Sequence, residues 1–355
     1  SNITLAGNNS DIDLADGGKY LVLYNVWTEE GALSGSNRRS LESYLTLNGT
    51  ALSLGRGAGY IRDAENDVTA YNTGAAIVDA TAGDDLAVVI ARDDTNPGAG
   101  TAITSGKNGV SVIKLSDTLD YLRVERAANI TDVSGDVTFT GLAWDSAQEV
   151  DTGSFDFTAT SDTITLKGGS EQFFLVTANV RLERTAASAD RQNYEMRLAL
   201  DGAEIPGTRV SSYLRSAGNG ADSGVLQYSG LIKKTVSGDQ TLTLEYRRES
   251  TNGYQTAVIG GETALAIAAL PAGAVPLSLT NNSTQSLNSS QTALNFDRGI
   301  ATANTDFTHS TSSNPNLVTL DSGGNYLFFG AAYQSRTSGG NRNVPQLQWR
   351  IDGTG

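Results

Sequence analysis

The sequence predicts an all-β chain of tandem antiparallel sandwiches, and three observations carry that reading. Val, Ile, Leu, Tyr and Phe alternate with polar residues over many short runs, and no stretch keeps helical apolar spacing for three turns. The chain holds 39 Gly against 6 Pro among its 355 residues, with abundant Ser, Thr, Asn and Asp, the residues of tight turns between strands. The third observation is self-similarity. "LNGTALSLGRGAGYIR" (47–62) aligns without a gap on "LDGAEIPGTRVSSYLR" (200–215), and a third copy begins with "IDGTG" at 351.

The elements follow in order from that repeat. "GGKYLVLYNV" (17–26), "GGSEQFFLVTANV" (168–180) and "GGNYLFFGAAY" (323–333) open equivalent long strands. Next come "SYLTLNG" (43–49), "MRLALDG" (196–202) and "QWRIDG" (348–353). Asn48-Gly49, Asp201-Gly202 and Asp352-Gly353 are hairpin signals, because a type I′ turn needs positive φ at both central positions. "AGDDLAVVIAR" (82–92) matches "SGDQTLTLEYR" (237–247), and "VSVIKL" (110–115) matches "LAIAAL" (265–270). "AVVIA" and "LFFG" read as strands covered on both faces. "VTFTGLAWD" (137–145) reads as the opening strand of the second copy, while "LSDTLDYLRVERAAN" and "LPAGAVPLSLTNNS" read as connectors. The repeat unit is about 150 residues, the size of a whole domain rather than a solenoid repeat. Eight or more strands in that length suit a jelly-roll sandwich. The expected division is 1–117 for a copy lacking its first strand, 118–271 for a complete copy, and 272–355 for the first half of a third. A window cut from a longer array is the expectation for the whole.

Residues 293–333 resemble the opening half of a tumour-necrosis-factor-like domain, and more closely the globular head of complement-type proteins. The shared elements are Phe296-Asp297 (Trp144-Asp145 in the second copy), a short aromatic strand, and Gly-x-Tyr entering a long apolar strand. An Asn/Asp-Arg entry, a strand ending in Asn-Gly and "GYIR" then follow. The resemblance implies a ten-stranded jelly roll that trimerises around an aromatic-rich axis. Proteins of that kind in animals carry one head per chain on a collagenous stalk, and no Gly-X-Y triplets occur here. Heads in tandem look more like microbial surface or phage structural proteins.

Composition excludes several functions. A net charge of −14 opposes nucleic acid, whose phosphates need clustered Lys and Arg. The absence of cysteine removes disulfides and thiolate metal sites. No apolar run reaches the roughly 20 residues of a spanning helix. With His309 the one histidine, a catalytic triad within the chain is excluded, and no catalytic residue is assigned. Calcium is the metal the Asp/Asn-rich loops 62–67, 92–96 and 218–224 would suit, though none has EF-hand spacing; no cofactor is expected.

The repeated polar positions are the candidate site. Arg38, Arg191 and Arg342 open the same strand in three copies, and Arg56 matches Arg209, which points to shared structural arginines. In Tyr60-Ile61-Arg62 and Tyr213-Leu214-Arg215, alternation puts Ile and Leu on the core face. Tyr60, Arg62, Tyr213 and Arg215 then share the outer face, as contact residues between domains or subunits do. The function expected is a non-enzymatic structural element, a fibre, filament or decoration, extracellular on a virion or microbial cell surface. Self-association as a trimer or filament goes with it. An adhesin gripping carbohydrate or a receptor is the alternative.

Overall fold

The computed structural model describes residues 3–5, 10–30, 38–62, 69–92, 101–103, 106–133, 135, 137–169, 172–185, 192–214, 222–249, 255–271, 274, 276–281, 283–285, 293–301, 306–321 and 326–330. All regular structure among them is strand. The first sandwich contains β1 (Ile3–Leu5), β2 (Asp11–Leu14), β3 (Gly18–Glu30), β4 (Arg38–Leu47), β5 (Thr50–Ala51), β6 (Gly57–Arg62), β7 (Thr69–Ala80), β8 (Asp84–Arg92), β9 (Thr101–Ile103) and β10 (Gly109–Lys114). The second contains β11 (Tyr121–Arg126), β12 (Thr140–Gly141), β13 (Ser146–Val150), β14 (Phe155–Asp156), β15 (Thr163–Leu166), β16 (Phe173–Arg184) and β17 (Gln192–Leu200). It continues with β18 (Ala203–Glu204), β19 (Val210–Leu214), β20 (Ser223–Lys233), β21 (Gln240–Arg248), β22 (Thr256–Val258) and β23 (Thr263–Ala269). Two small pairs follow: β24 (Leu277–Thr280) with β25 (Arg298–Ala301), and β26 (Phe307–His309) with β27 (Val318–Leu320).

Nested antiparallel pairing defines the topology. In the second sandwich β11 pairs β23, β15 pairs β21, β16 pairs β20 and β17 pairs β19, outermost to innermost. Rolling this long double ribbon brings β23 beside β16 and β21 beside β17. That is a jelly roll, with sheets β13-β11-β23-β16-β20 and β14-β15-β21-β17-β18. The first sandwich repeats the order as β10-β3-β7 and β1-β2-β8-β4-β5. It has no described strand at the places of β11, β12 and β13.

The two hairpin turns are superposable in chemistry. Asn48 and Gly49 take φ of 50° and 76°, and Asp201 and Gly202 take 48° and 78°. Asn48 Oδ1 accepts the Asp85 amide at 2.9 Å, and Asp201 Oδ1 accepts the Thr241 amide at 2.8 Å. Aligning the turns therefore matches Asp85 with Thr241, one residue off the correspondence expected from 82–92 and 237–247. The structural register keeps Leu86 and Leu242 both opposite their β4 and β17 leucines and both buried. A one-residue slip would turn every side chain of the strand to the other face.

Three other expectations are corrected. The passage around 116–129 is not merely a connector: it contributes β11, with Tyr121, Leu122 and Val124 wholly buried. Within 137–145 only Thr140–Gly141 is strand, and Trp144 is a buried core plug instead. "AVVIA" is only half-buried, and Leu327 and Phe328 are exposed. The strands covered on both faces are β16 and β23.

Candidate inter-sandwich site

Alternation assigns the faces of each sheet. Phe174, Val176, Leu265 and Ile267 point into the second sandwich's own core. Leu175, Ala264, Ala266 and Ala268 point outward, yet all are buried. They continue, with Tyr121, into the apolar cluster that holds Leu21 and Ile77, the paired outward residues of β3 and β7. The alanines set the spacing, since a face of small side chains lets a neighbouring surface approach closely. Phe329 packs against the same cluster.

A polar collar surrounds this contact. Asn179, wholly buried on the outward face of β16, donates its amide to Ser53 O at 2.8 Å and Glu262 O at 2.7 Å. Arg123 Nη2 donates to Ser53 Oγ at 2.9 Å, and Ser53 Oγ donates to Glu125. Arg181 pairs with Glu42 of β4 and stands 3.3 Å from Glu262. Arg56 lies 3.4 Å from Glu262, with its guanidinium 5.2 Å over the Tyr44 ring. Tyr121 donates its hydroxyl to Ile77 O at 3.2 Å, and burial pushes that phenol well above its ordinary value. Lys19 reaches Glu149 at 2.7 Å; burial lowers its pKa, but that bond and its charge outweigh burial and raise it overall.

Among the contact candidates, Tyr60 and Tyr213 are brought together, ring centroids 5.7 Å apart at 60°. Ile61 and Leu214 beside them are wholly buried. Arg62 lies at the end of β6, but its side chain is outside the described residues, as are Arg215, Arg191 and Arg342 and the side chain of Arg38. The matched pair Arg56 and Arg209 act differently. Arg56 crosses between sandwiches, whereas Arg209 stays within its own, 2.5 Å from Glu204 and 5.1 Å over Phe139. Arg197 and Arg247 also cover Phe139, at 3.9 and 4.5 Å. The residues missed by sequence reasoning are Asn179, Arg181 and the alternating alanines of "ALAIAA". That small/large alternation was the one signal for a second packed face.

Little here suggests chemistry. His309 has its two ring nitrogens 2.8 and 3.0 Å from the carbonyls of Leu317 and Phe296, pinning a hairpin to a loop. Among the described residues no group of three His, Cys, Asp or Glu is placed to hold a metal ion; most of the three Asp/Asn loops lies outside them. Among those residues no helix is long and apolar enough to cross a membrane.

No protein-family model matches the chain, and no curated protein does. Several solved structures are similar to it. Murine APRIL matches at 12% identity and a TM-score of 0.30, over 43% of this chain and 100% of that one. The globular domain of zebrafish complement 1qA matches at 9% and 0.23, over 42% and 95%. The VP2 subviral particle of infectious bursal disease virus matches at 10% and 0.20, over 73% and 70%. These likenesses concern the fold alone, and the jelly-roll assignment rests on the nested strand pairs.

Proposed function

We propose that the chain is a non-enzymatic structural protein in which one jelly-roll unit is repeated, at 1–117, 118–271 and onward from 272, with successive units packed edge to face. One observation carries this reading: the corresponding turns of the first two sandwiches each lie close to the strand that follows their own sandwich in the chain. The turn at Ser53 in the first unit meets Arg123 and Glu125 on β11. At the matching turn of the second unit, the Thr280 methyl of β24 lies 2.9 Å from where a Gly207 Cβ would stand. The contact joins two different surfaces, so it is heterologous, and such contacts either close into a ring or continue as a filament. Phe329, matched with Leu23, reaches the cluster holding Leu21 and Leu175, as a third unit on a shared axis would. An extracellular fibre, filament or decoration of a virion or microbial surface is the role this packing serves.

A second reading has its own support. Trp27 and Tyr71 meet edge to face at 6.0 Å, Lys107 stands 4.5 Å over Trp27, and Tyr71 is 50% exposed. The exposed Tyr71 ring, backed by Trp27, would suit a sugar ring, as an adhesin would need. Negative-stain micrographs of the purified chain test the two. Rings or filaments with a regular unit spacing are expected; discrete single chains that bind a glycan array saturably would overturn the structural role.

A further inference from the structure

One end of the second sandwich's core is polar. Alternation carries the inward faces of β16, β17, β21 and β22 past their last apolar side chains. Beyond Leu182, Tyr246 and Val258 the inward positions are Arg184, Arg248 and Thr256, and beyond Tyr194 the inward position is Gln192. All four polar residues are 4% exposed or less. Thr256 Oγ1 donates to Gln192 Oε1 at 2.9 Å, and the Tyr194 hydroxyl stands 3.4 Å from the same oxygen. Burial raises the Tyr194 phenol; the Thr256 hydroxyl and Arg248 lower it, Asp132 raises it and Arg184 lowers it, the net shift being upward. Both guanidiniums therefore act on one buried hydroxyl.

Arg248 is the anomaly of this layer. Among the described residues neither its Nε nor its Nη1 has a hydrogen-bond partner, although both atoms are shut off from solvent. A guanidinium stays ionised in a protein, and a buried charge without a counter-charge or acceptor is strongly unfavourable. Elsewhere the same sandwich supplies acceptors. Arg197 and Arg247 meet Glu245 and Glu195 at 2.6 Å each. Lys234, wholly buried at the opposite pole, donates to the carbonyls of Gly168 and Gly169. Near Arg248, Glu249 takes the Asn193 amide at 2.8 Å, and Asp132 is exposed. The first sandwich lacks such a layer: Leu41 stands opposite Arg92 there, as Tyr194 stands opposite Arg248, and Arg92 is exposed. We propose that Arg248 holds a small monovalent anion, of chloride or formate size, inside this end of the second sandwich. One negative charge matches the one guanidinium left without an acceptor. Sheets about 10 Å apart, filled by these side chains, leave room for an ion and not for a larger solute. The ion is a structural ligand: it binds the folded sandwich and not the unfolded chain, so stability rises with its concentration.

Urea unfolding of the full chain, in sodium chloride against sodium gluconate at one ionic strength, tests this. Gluconate carries the same charge but is too large to enter. The parent's midpoint should rise with the chloride share, by about 1 M once chloride stands a hundredfold above its Kd. Sodium formate should act as chloride does. Arg248→Met keeps an unbranched chain without the charge, and its midpoint should not depend on the anion. Should that variant fail to fold by circular dichroism, crystals of the parent grown in bromide decide instead. Their anomalous peak should lie in contact with the Arg248 guanidinium, and the lack of a peak there would overturn the proposal. So would a parent indifferent to the exchange of chloride for gluconate, or an Arg248→Met chain that keeps the parent's dependence.

Discussion

Asn179→Ala is the sharpest test of the contact between the sandwiches. The side chain is wholly buried and holds two carbonyls, one from each sandwich, at 2.8 and 2.7 Å. Truncation removes both bonds and leaves the Ser53 and Glu262 carbonyls without that donor. At about 1 kcal/mol per bond, plus part of the desolvation penalty of the orphaned groups, the loss should be about 2–3 kcal/mol. For a cooperative unit of this size that lowers Tm by roughly 4–12 °C. Urea unfolding followed by tryptophan emission is the assay, because Trp27 lies in the first sandwich and Trp144 in the second core. The matched residue Asn25 is the control. It is half-buried, and among the described residues its side chain bonds to Lys107 O of its own sandwich, at 2.8 Å, so Asn25→Ala should cost less than about 1 kcal/mol. Equal losses for the two variants, or a loss below about 0.5 kcal/mol for Asn179→Ala, would refute the claim that this amide ties the sandwiches together.

Two further outcomes are expected. Phe139→Leu keeps apolar bulk but removes the ring under three guanidiniums, and should lower stability by about 1–2 kcal/mol in thermal unfolding. Acid should also weaken the second sandwich. Burial raises the Glu204 pKa, but Arg209 and Arg197 outweigh it and hold the carboxyl below its ordinary 4.5. The Thr241 amide, with Gln240 and the Thr241 hydroxyl, holds Asp201 below 3.8. Depressed native values add stability that is complete above the unfolded values and is lost as pH falls through the native ones. The urea midpoint should therefore drop from about pH 4.5 downward, and Glu204→Gln should flatten that fall.

The sandwich class was legible because turn chemistry and alternation are local. Asn48-Gly49 and Asp201-Gly202 announce their hairpins without help from the rest of the chain. β11 was not legible, since "YLRVER" sits among polar residues and becomes a strand only when β23 offers it an edge. The register of β8 against β21 turned on one residue in a preceding turn, which pattern matching cannot weigh against burial of Leu86 and Leu242. At the contact site, Tyr60 and Tyr213 were visible as a repeated motif. Asn179 was invisible, because its partners are main-chain carbonyls distant in sequence. Arg56 and Arg209 show the converse: the same position, read identically, holds two different partners.

Tyr121 pairs with Ala268, so the second unit is entered and left on neighbouring strands at the same pole. Tension applied through the chain would load the β11–β23 bonds one after another, as a zipper, rather than all together in shear. The second unit is thus mechanically soft along its own backbone. An array of such units would bear force through the lateral contacts of Leu175, the β23 alanines and the buried Asn179. On the repeated-unit proposal, the shared pole would set the second unit beside its neighbours rather than end to end with them, so one polypeptide would wind around an axis without long linkers.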